Sequence, residues 1–273
     1  MGISMAAIQT METHGLIGNG KKFLDLGSSN LYGASKEQVI SFIQRHNPSP
    51  RNDLAEWAER LASGSGADAG GANKNESFAG ELLEAAGMIY DAIDIAIGYK
   101  TTVVDLNTMR LPEQMEAQYD TVVNFGTSEH IINQMNTFAA VHAATKKGGY
   151  IMHSVPSTGY VDHGYFCYTS RFFFDMAGYN SYDVVDMWFD SPTTTENVFA
   201  TARQYQTYFP SLTERLNKIG VEERETRLNK LMIPTISLNI VFCKKNNNPF
   251  MGMVETSTSV GNVPTDILSS YSR

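Results

Sequence analysis

Four of the six histidines of this chain, His130, His142, His153 and His163, fall within 34 residues of one another, and Glu129 directly precedes the first. Imidazole exchanges protons near neutral pH, so a histidine at the rim of a pocket can serve as a general base toward a hydroxyl. His163 is the first candidate, because residues 159–166 form a glycine- and aromatic-rich loop. His153, which closes an apolar run, is the second, and His130 the third. Capping or packing is the competing role for each. His142 has Met135, Phe138 and Ala139 at helical spacing and reads as a packed or surface histidine. Glu129, His130, His153 and His163 have the residue types of metal ligands but not a ligand spacing, and no metal is expected. The aromatic cluster Tyr160, Tyr165, Phe166, Tyr168, Phe172, Phe173 and Phe174 could line an acceptor pocket or form a core helix face with its preceding loop. Tyr165 and Tyr168 are the better pocket candidates, since their hydroxyls can stay solvated. Arg171 is the one cation in that cluster and could orient an anionic acceptor. With Glu129 these three make the candidate substrate set.

Something must hold these side chains in place. Apolar runs at 23–26, 90–97, 101–106, 119–125, 150–155, 183–189 and 235–243 read as seven strands, and 131–144 as an amphipathic helix. That helix is expected to stop at the Lys-Lys-Gly-Gly run 146–149. Strands alternating with helices predict an α/β protein with a doubly wound, mostly parallel sheet. Two segments interrupt the pattern. Residues 51–78 contain a Gly/Ser/Ala-rich link between helical pieces, and 193–232 read as helical, with Ser211 and Glu214 as a capping box. The tail 246–273 is polar and aperiodic. The whole is expected to be a single domain.

The first strand ends at Asp25, turns through Gly27, Ser28 and Ser29, and feeds a helical run from Ser35. A strand-turn-helix of this kind presents backbone N–H groups to a nucleoside cofactor. A dinucleotide would require further glycines where this chain has Ser29 and Tyr32, because its pyrophosphate must approach bare backbone. S-adenosylmethionine has no pyrophosphate and tolerates small side chains there. Asp25 would then lie close to its ammonium group. The plain alternative is a strand end and its turn. Later strands also end in suitable residues. Asp94 could accept both ribose hydroxyls, Asp105 and Leu106 could read an adenine edge, and Asn124, Phe125 and Gly126 would lie beneath the reacting centre. Asp and Asn are common at strand ends for their turn chemistry alone.

Taken in order from residue 20 to 155, these pieces resemble a class I S-adenosylmethionine-dependent methyltransferase. The resemblance implies a seven-stranded Rossmann-like sheet with an antiparallel last strand, and S-adenosylmethionine as cofactor. It departs from the family in the missing glycines and in the long gap between Asp25 and Asp94, which suggests a lid or extra helical layer. Glu129 and His130 are similar in setting to the Glu-His pair of quinone-biosynthesis and cyclopropane-type methyltransferases. The implied reaction is methylation of a small molecule, at oxygen rather than nitrogen given the histidines. A nicotinamide-dependent oxidoreductase and a non-catalytic protein of the same fold are the rivals.

The totals fit. The chain has 273 residues, 42% hydrophobic and 18% charged, enough for one large domain with a real core. A net charge of −8 argues against a general nucleic-acid partner. Cys167 and Cys243 offer no disulfide framework, and no signal peptide or spanning segment is read, so a cytoplasmic location is expected. Homo-oligomerisation is left open, since the insertion and tail could pack on a second subunit.

Overall fold

The computed structural model describes residues 2–160, 163–190, 235–253 and 262–271. Period-two alternation decides how the strands bury themselves. In β2 (Lys22–Leu26), Phe23 faces one apolar cluster while Leu24 and Leu26 face another. The same split runs through β4 (Ile89–Asp94), where Tyr90 and Ala92 oppose Ile93, and through β6 (Tyr119–Phe125), where Val123 and Phe125 oppose Val122. A sheet with two apolar faces must be covered twice, and it is. On one face pack α1 (Met5–Thr13), α2 (Lys36–His46), α3 (Leu54–Gly64) and α4 (Ala79–Ala85). On the other pack α5 (Gln134–Ala144) and α6 (Ser170–Asn180).

The remaining strands of this sheet are β5 (Thr101–Val103), β7 (Thr145–Thr158), β8 (Tyr182–Asp190) and β9 (Ile236–Lys244). Seven strands lie in the order β5-β4-β2-β6-β7-β9-β8. The first five are parallel, and β9 runs antiparallel to both β7 and β8. This is the doubly wound Rossmann-like sheet expected from the sequence, including its antiparallel last strand.

Details differ for local reasons. The second strand ends at Asp94, not residue 97, because its carboxylate accepts the Ala96 N–H and starts a turn. The third ends at Val103, since Asp105 gathers the Asn107 N–H and the Thr108 hydroxyl into a turn of its own. Helix α5 starts at Gln134 because the Asn133 side chain caps it by accepting the Asn136 N–H. It stops at Ala144, and Lys146 to Gly149 belong instead to an irregularity in the β6–β7 pairing, with Gly148 at φ +79°. A small parallel pair joins β1 (Gly2–Ser4), ahead of β2, to β3 (Asn30–Tyr32), after the first turn, and is absent from the sequence reading. In the interruption 51–78, α3 adds a helical layer over α2, and residues 65–78 form a loop pinned by Asp68 accepting from Gly70 and Ala72. A short helix α7 (Thr265–Ser270) lies in the tail. The interruption expected at 193–232 lies outside the described residues. Among the described residues, no helix is long and apolar enough to cross a membrane.

Candidate functional site

Asp25 closes β2 wholly buried and held by its own chain. It accepts the Ser29 N–H at 2.7 Å, the Ser29 hydroxyl at 3.1 Å and the Tyr90 hydroxyl at 2.9 Å. Burial pushes its pKa up, against the pull of these donors. Asp25 therefore braces the turn from beneath, and an ammonium group has no access to it. Above it the backbone bends sharply: Gly27 has φ +118° and Ser28 φ +42°, the left-handed region that glycine enters freely and serine at a cost. Ser29 is spent on Asp25, and the Tyr32 ring lies against the backbone of Gly2.

Neighbouring strand tips emerge on the same edge. Asp94 is half-buried there, followed by Ile95, whose side chain is 69% exposed. Single apolar side chains in water are common, and this one stands directly after the Asp94 carboxylate. Asp105 has both oxygens engaged in its own turn, which holds its pKa below the usual carboxylate range, and Leu106 is buried in the core. Asn107 braces α5's approach by accepting from the N–H groups of Ile132 and Asn133.

Asn124, expected beneath the reacting centre, is buried and consumed. Its Oδ1 accepts the N–H groups of Thr127 and Ser128, and its Nδ2 faces Ser128 Oγ at 2.8 Å and His153 Nδ1 at 3.1 Å. Its work is to shape the following turn. Phe125 and Gly126, by contrast, line a cavity of about 370 Å³ at the carboxyl end of β6 and β7. Gly126 sits at φ +73° and turns the chain toward the short 3-10 turn Ser128–His130.

That cavity gathers three of the predicted side chains. Glu129, His130 and His163 line it with Tyr32, Ser154, Tyr160 and Ser237. Glu129 is fully buried, and neither carboxylate oxygen receives a hydrogen bond from the described residues. His163 Nε2 approaches Glu129 Oε1 to 3.3 Å, and the His130 and His163 rings meet edge-on with centroids 4.8 Å apart. Partial burial lowers the pKa of His130, opposed by the Glu129 carboxylate. The loop of His163 is clamped to Glu129: Tyr165 and Phe166 both donate their N–H to the Glu129 carbonyl. Gly164 allows this, since a Cβ there would stand 2.9 Å from that carbonyl oxygen and from Glu129 Cγ. Nothing in the sequence marked Gly164, because only the fold brings these loops together.

Other candidates lie elsewhere. His153 is 1% exposed, ringed by Phe138, Phe173 and Phe242, and burial pushes its pKa down to about 3. It shares a strand face with Ile151 and Val155, whose period of two was the available warning. As placed, it reaches neither solvent nor cavity and is corrected to a packing residue. Tyr168 is corrected likewise: its hydroxyl is buried against Gln134 Oε1 at 2.7 Å and Ser128 Oγ at 3.1 Å, not solvated. Tyr165 is 69% exposed beyond the cavity, and Arg171 pairs with Asp175 one helical turn on. His142 is packed as expected, between Tyr182 Oη and the Asn248 carbonyl. A larger cavity of about 650 Å³ beside α5 holds none of the candidate residues except His142's edge and lies away from the strand tips.

No protein-family model matches this chain, and no curated protein matches it. Among solved structures, it is similar to a Bacillus halodurans protein assigned as a methyltransferase with no stated substrate, at 12% identity and TM-score 0.48, covering 90% of this chain and 100% of the other. A S-adenosylmethionine-dependent methyltransferase of Mesorhizobium loti aligns at 12% identity and TM-score 0.42, covering 88% and 97%. A third is the 1,6-didemethyltoxoflavin-N1-methyltransferase of Burkholderia thailandensis, with 1,6-didemethyltoxoflavin and S-adenosylhomocysteine bound, at 10% identity, TM-score 0.42 and coverage of 89% and 77%. Likeness at this level says nothing about individual residues or substrate. The fold assignment stands on the strand order of this chain itself.

Proposed function

From a sheet whose strand order and antiparallel last strand are those of the class I methyltransferase fold, we propose that this protein is a S-adenosylmethionine-dependent methyltransferase acting on an oxygen of a small molecule. One observation carries the reading. The Gly27–Ser28 turn, Asp94 with Ile95, and Phe125 with Gly126 all emerge on one sheet edge, beside a cavity that holds Glu129, His130 and His163.

The residues fit that cofactor. Asp94 would accept the ribose hydroxyls, Ile95 would cover the adenine, and the backbone of residues 27–29 would face the methionine part. When bound, the cofactor supplies a methyl group on a sulfonium, so the chain's contribution is alignment and exclusion of water. A nicotinamide dinucleotide fits less well, since Ser29 and Tyr32 occupy positions where its pyrophosphate would meet bare backbone.

An oxygen acceptor must lose a proton where many amines need not, and the cavity holds groups able to take it. With Nε2 directed at Glu129, His163 keeps Nδ1 as the accepting atom toward the cavity. Calorimetric titration tests the cofactor: S-adenosylhomocysteine should bind and NAD should not, and Asp94→Ala should weaken the former at least tenfold. Binding of NAD alone would overturn the reading. Turnover, followed as S-adenosylhomocysteine release, should fall about 10²-fold or more in His163→Ala.

A further inference from the structure

Glu129 presents a problem that the base assignment does not solve. Its carboxylate is fully buried, and neither oxygen receives a hydrogen bond from the described residues. A buried carboxylate that receives no hydrogen bond is costly, and His163 at 3.3 Å from Oε1 meets only one of its oxygens; such groups are normally fully paired or coordinate a metal. The group lies on the cavity wall, with the His163 imidazole at 3.3 Å and a ligand atom of His130 within 4.8 Å. We infer that Glu129, His130 and His163 together bind one divalent transition-metal ion, with a coordination position left open to the cavity.

The geometry supports this beyond residue type. One ligand atom from each of the three lies within 4.8 Å of the others, and the Glu129–His163 pair is already at 3.3 Å. Bonds of roughly 2.0–2.1 Å at tetrahedral angles place neighbouring ligand atoms about 3.3 Å apart. One pair is therefore at coordination spacing, and the third ligand atom lies within 4.8 Å of both. The backbone is prepared for it: the bonds from Tyr165 and Phe166 to the Glu129 carbonyl fix the loop of one ligand to the residue of another. Two imidazole nitrogens with one carboxylate favour zinc or ferrous iron over magnesium or calcium, which take oxygen ligands.

Three protein ligands are the pattern of an open site. Phe125, Gly126, Ser154 and Tyr160 border the space beyond them. A molecule occupying it would offer a hydroxyl or carboxylate oxygen to the ion, which would take over from His163 the task of easing proton loss, since with Nε2 on the ion the ring proton sits on Nδ1. Only this substrate class rests on the methyltransferase reading; the ion site stands on the three side chains.

The test uses chelator-treated full-length protein titrated with Zn²⁺ by calorimetry and with Co²⁺ by visible absorption. One ion per chain is expected, with affinity at least about tenfold weaker in His163→Ala and in Glu129→Gln. If Glu129→Gln fails to fold, His130→Ala, at the surface, should show the same loss. S-adenosylhomocysteine binding by each preparation, measured in parallel, should stay within about twofold of the parent. Failure to take up either ion, or equal affinity in the parent, His130→Ala and His163→Ala, overturns the inference. Ion binding without S-adenosylhomocysteine binding would uphold it while sinking the proposed function.

Discussion

A carboxylate's burial and partners decide its role more than its position in a motif. Asp25 occupies the place from which a strand-end acid would reach a cofactor, yet Ser29 and Tyr90 enclose it completely. Its contribution is to hold Ser28 at φ +42°, a conformation that needs support from its surroundings. Asp25→Ala would leave the Ser29 N–H and the Tyr90 hydroxyl buried without acceptors. The expected cost is about 3 kcal/mol in urea unfolding, accompanied by loss of S-adenosylhomocysteine binding as the turn relaxes. A variant as stable as the parent would show that the turn keeps its shape unaided. Asp94 and Glu129 are the contrasting cases, one half-exposed on the edge and the other buried facing the cavity.

At the scale of elements, the cavity depends on how closely the loop after β7 approaches the turn after β6. Gly164 sets that distance, because any side chain there meets the Glu129 backbone at 2.9 Å. Gly164→Ala should push His163 outward and lower turnover at least tenfold, with S-adenosylhomocysteine affinity within about threefold and the unfolding midpoint little changed. Equal loss of cofactor binding would instead mean that the loop supports the whole edge. The sequence carried the strands well, because runs such as 119–125 and 235–243 alternate or stay apolar over a full strand length. The helical run from Ser35 was equally local, whereas the capping box that starts it, in which Ser35 and Gln38 exchange bonds, went unread. Three-residue β1 and β3 left no period to detect. The site was only partly legible for the same reason. Phe125, Gly126, Glu129, His130 and His163 sit next to recognisable strand ends and do converge, whereas the burial of Asn124, His153 and Tyr168 is decided by packing between α5, α6 and β9.

For the molecule as a whole, the second apolar face carries an acid liability set by two buried histidines. His142 and His153 are both buried there, and burial holds their pKa values down to about 4 and about 3, with the nearby Lys244 charge adding to the effect on His142. His142 Nε2 faces the Asn248 carbonyl and must donate, so Nδ1 accepts from Tyr182, and the neutral ring ties α5 to β8 and the tail. In the unfolded chain each histidine takes up its proton near pH 6.5. The stabilisation is therefore fully present above that value and is lost as pH falls toward the depressed folded values. Each unprotonated ring contributes a slope of about 1.4 kcal/mol per pH unit within that window. Summed from pH 6.5 to 4, His142 alone should remove about 3 kcal/mol of stability. Carboxylates titrate in the same range, so the informative quantity is a difference between proteins. Urea midpoints of the parent and His142→Gln, followed from pH 7 to 4, should converge as pH falls, the variant being less stable at pH 7 and losing less on acidification. Parallel curves would mean that His142 is protonated without opening the fold, and that the acid limit of this protein is set elsewhere.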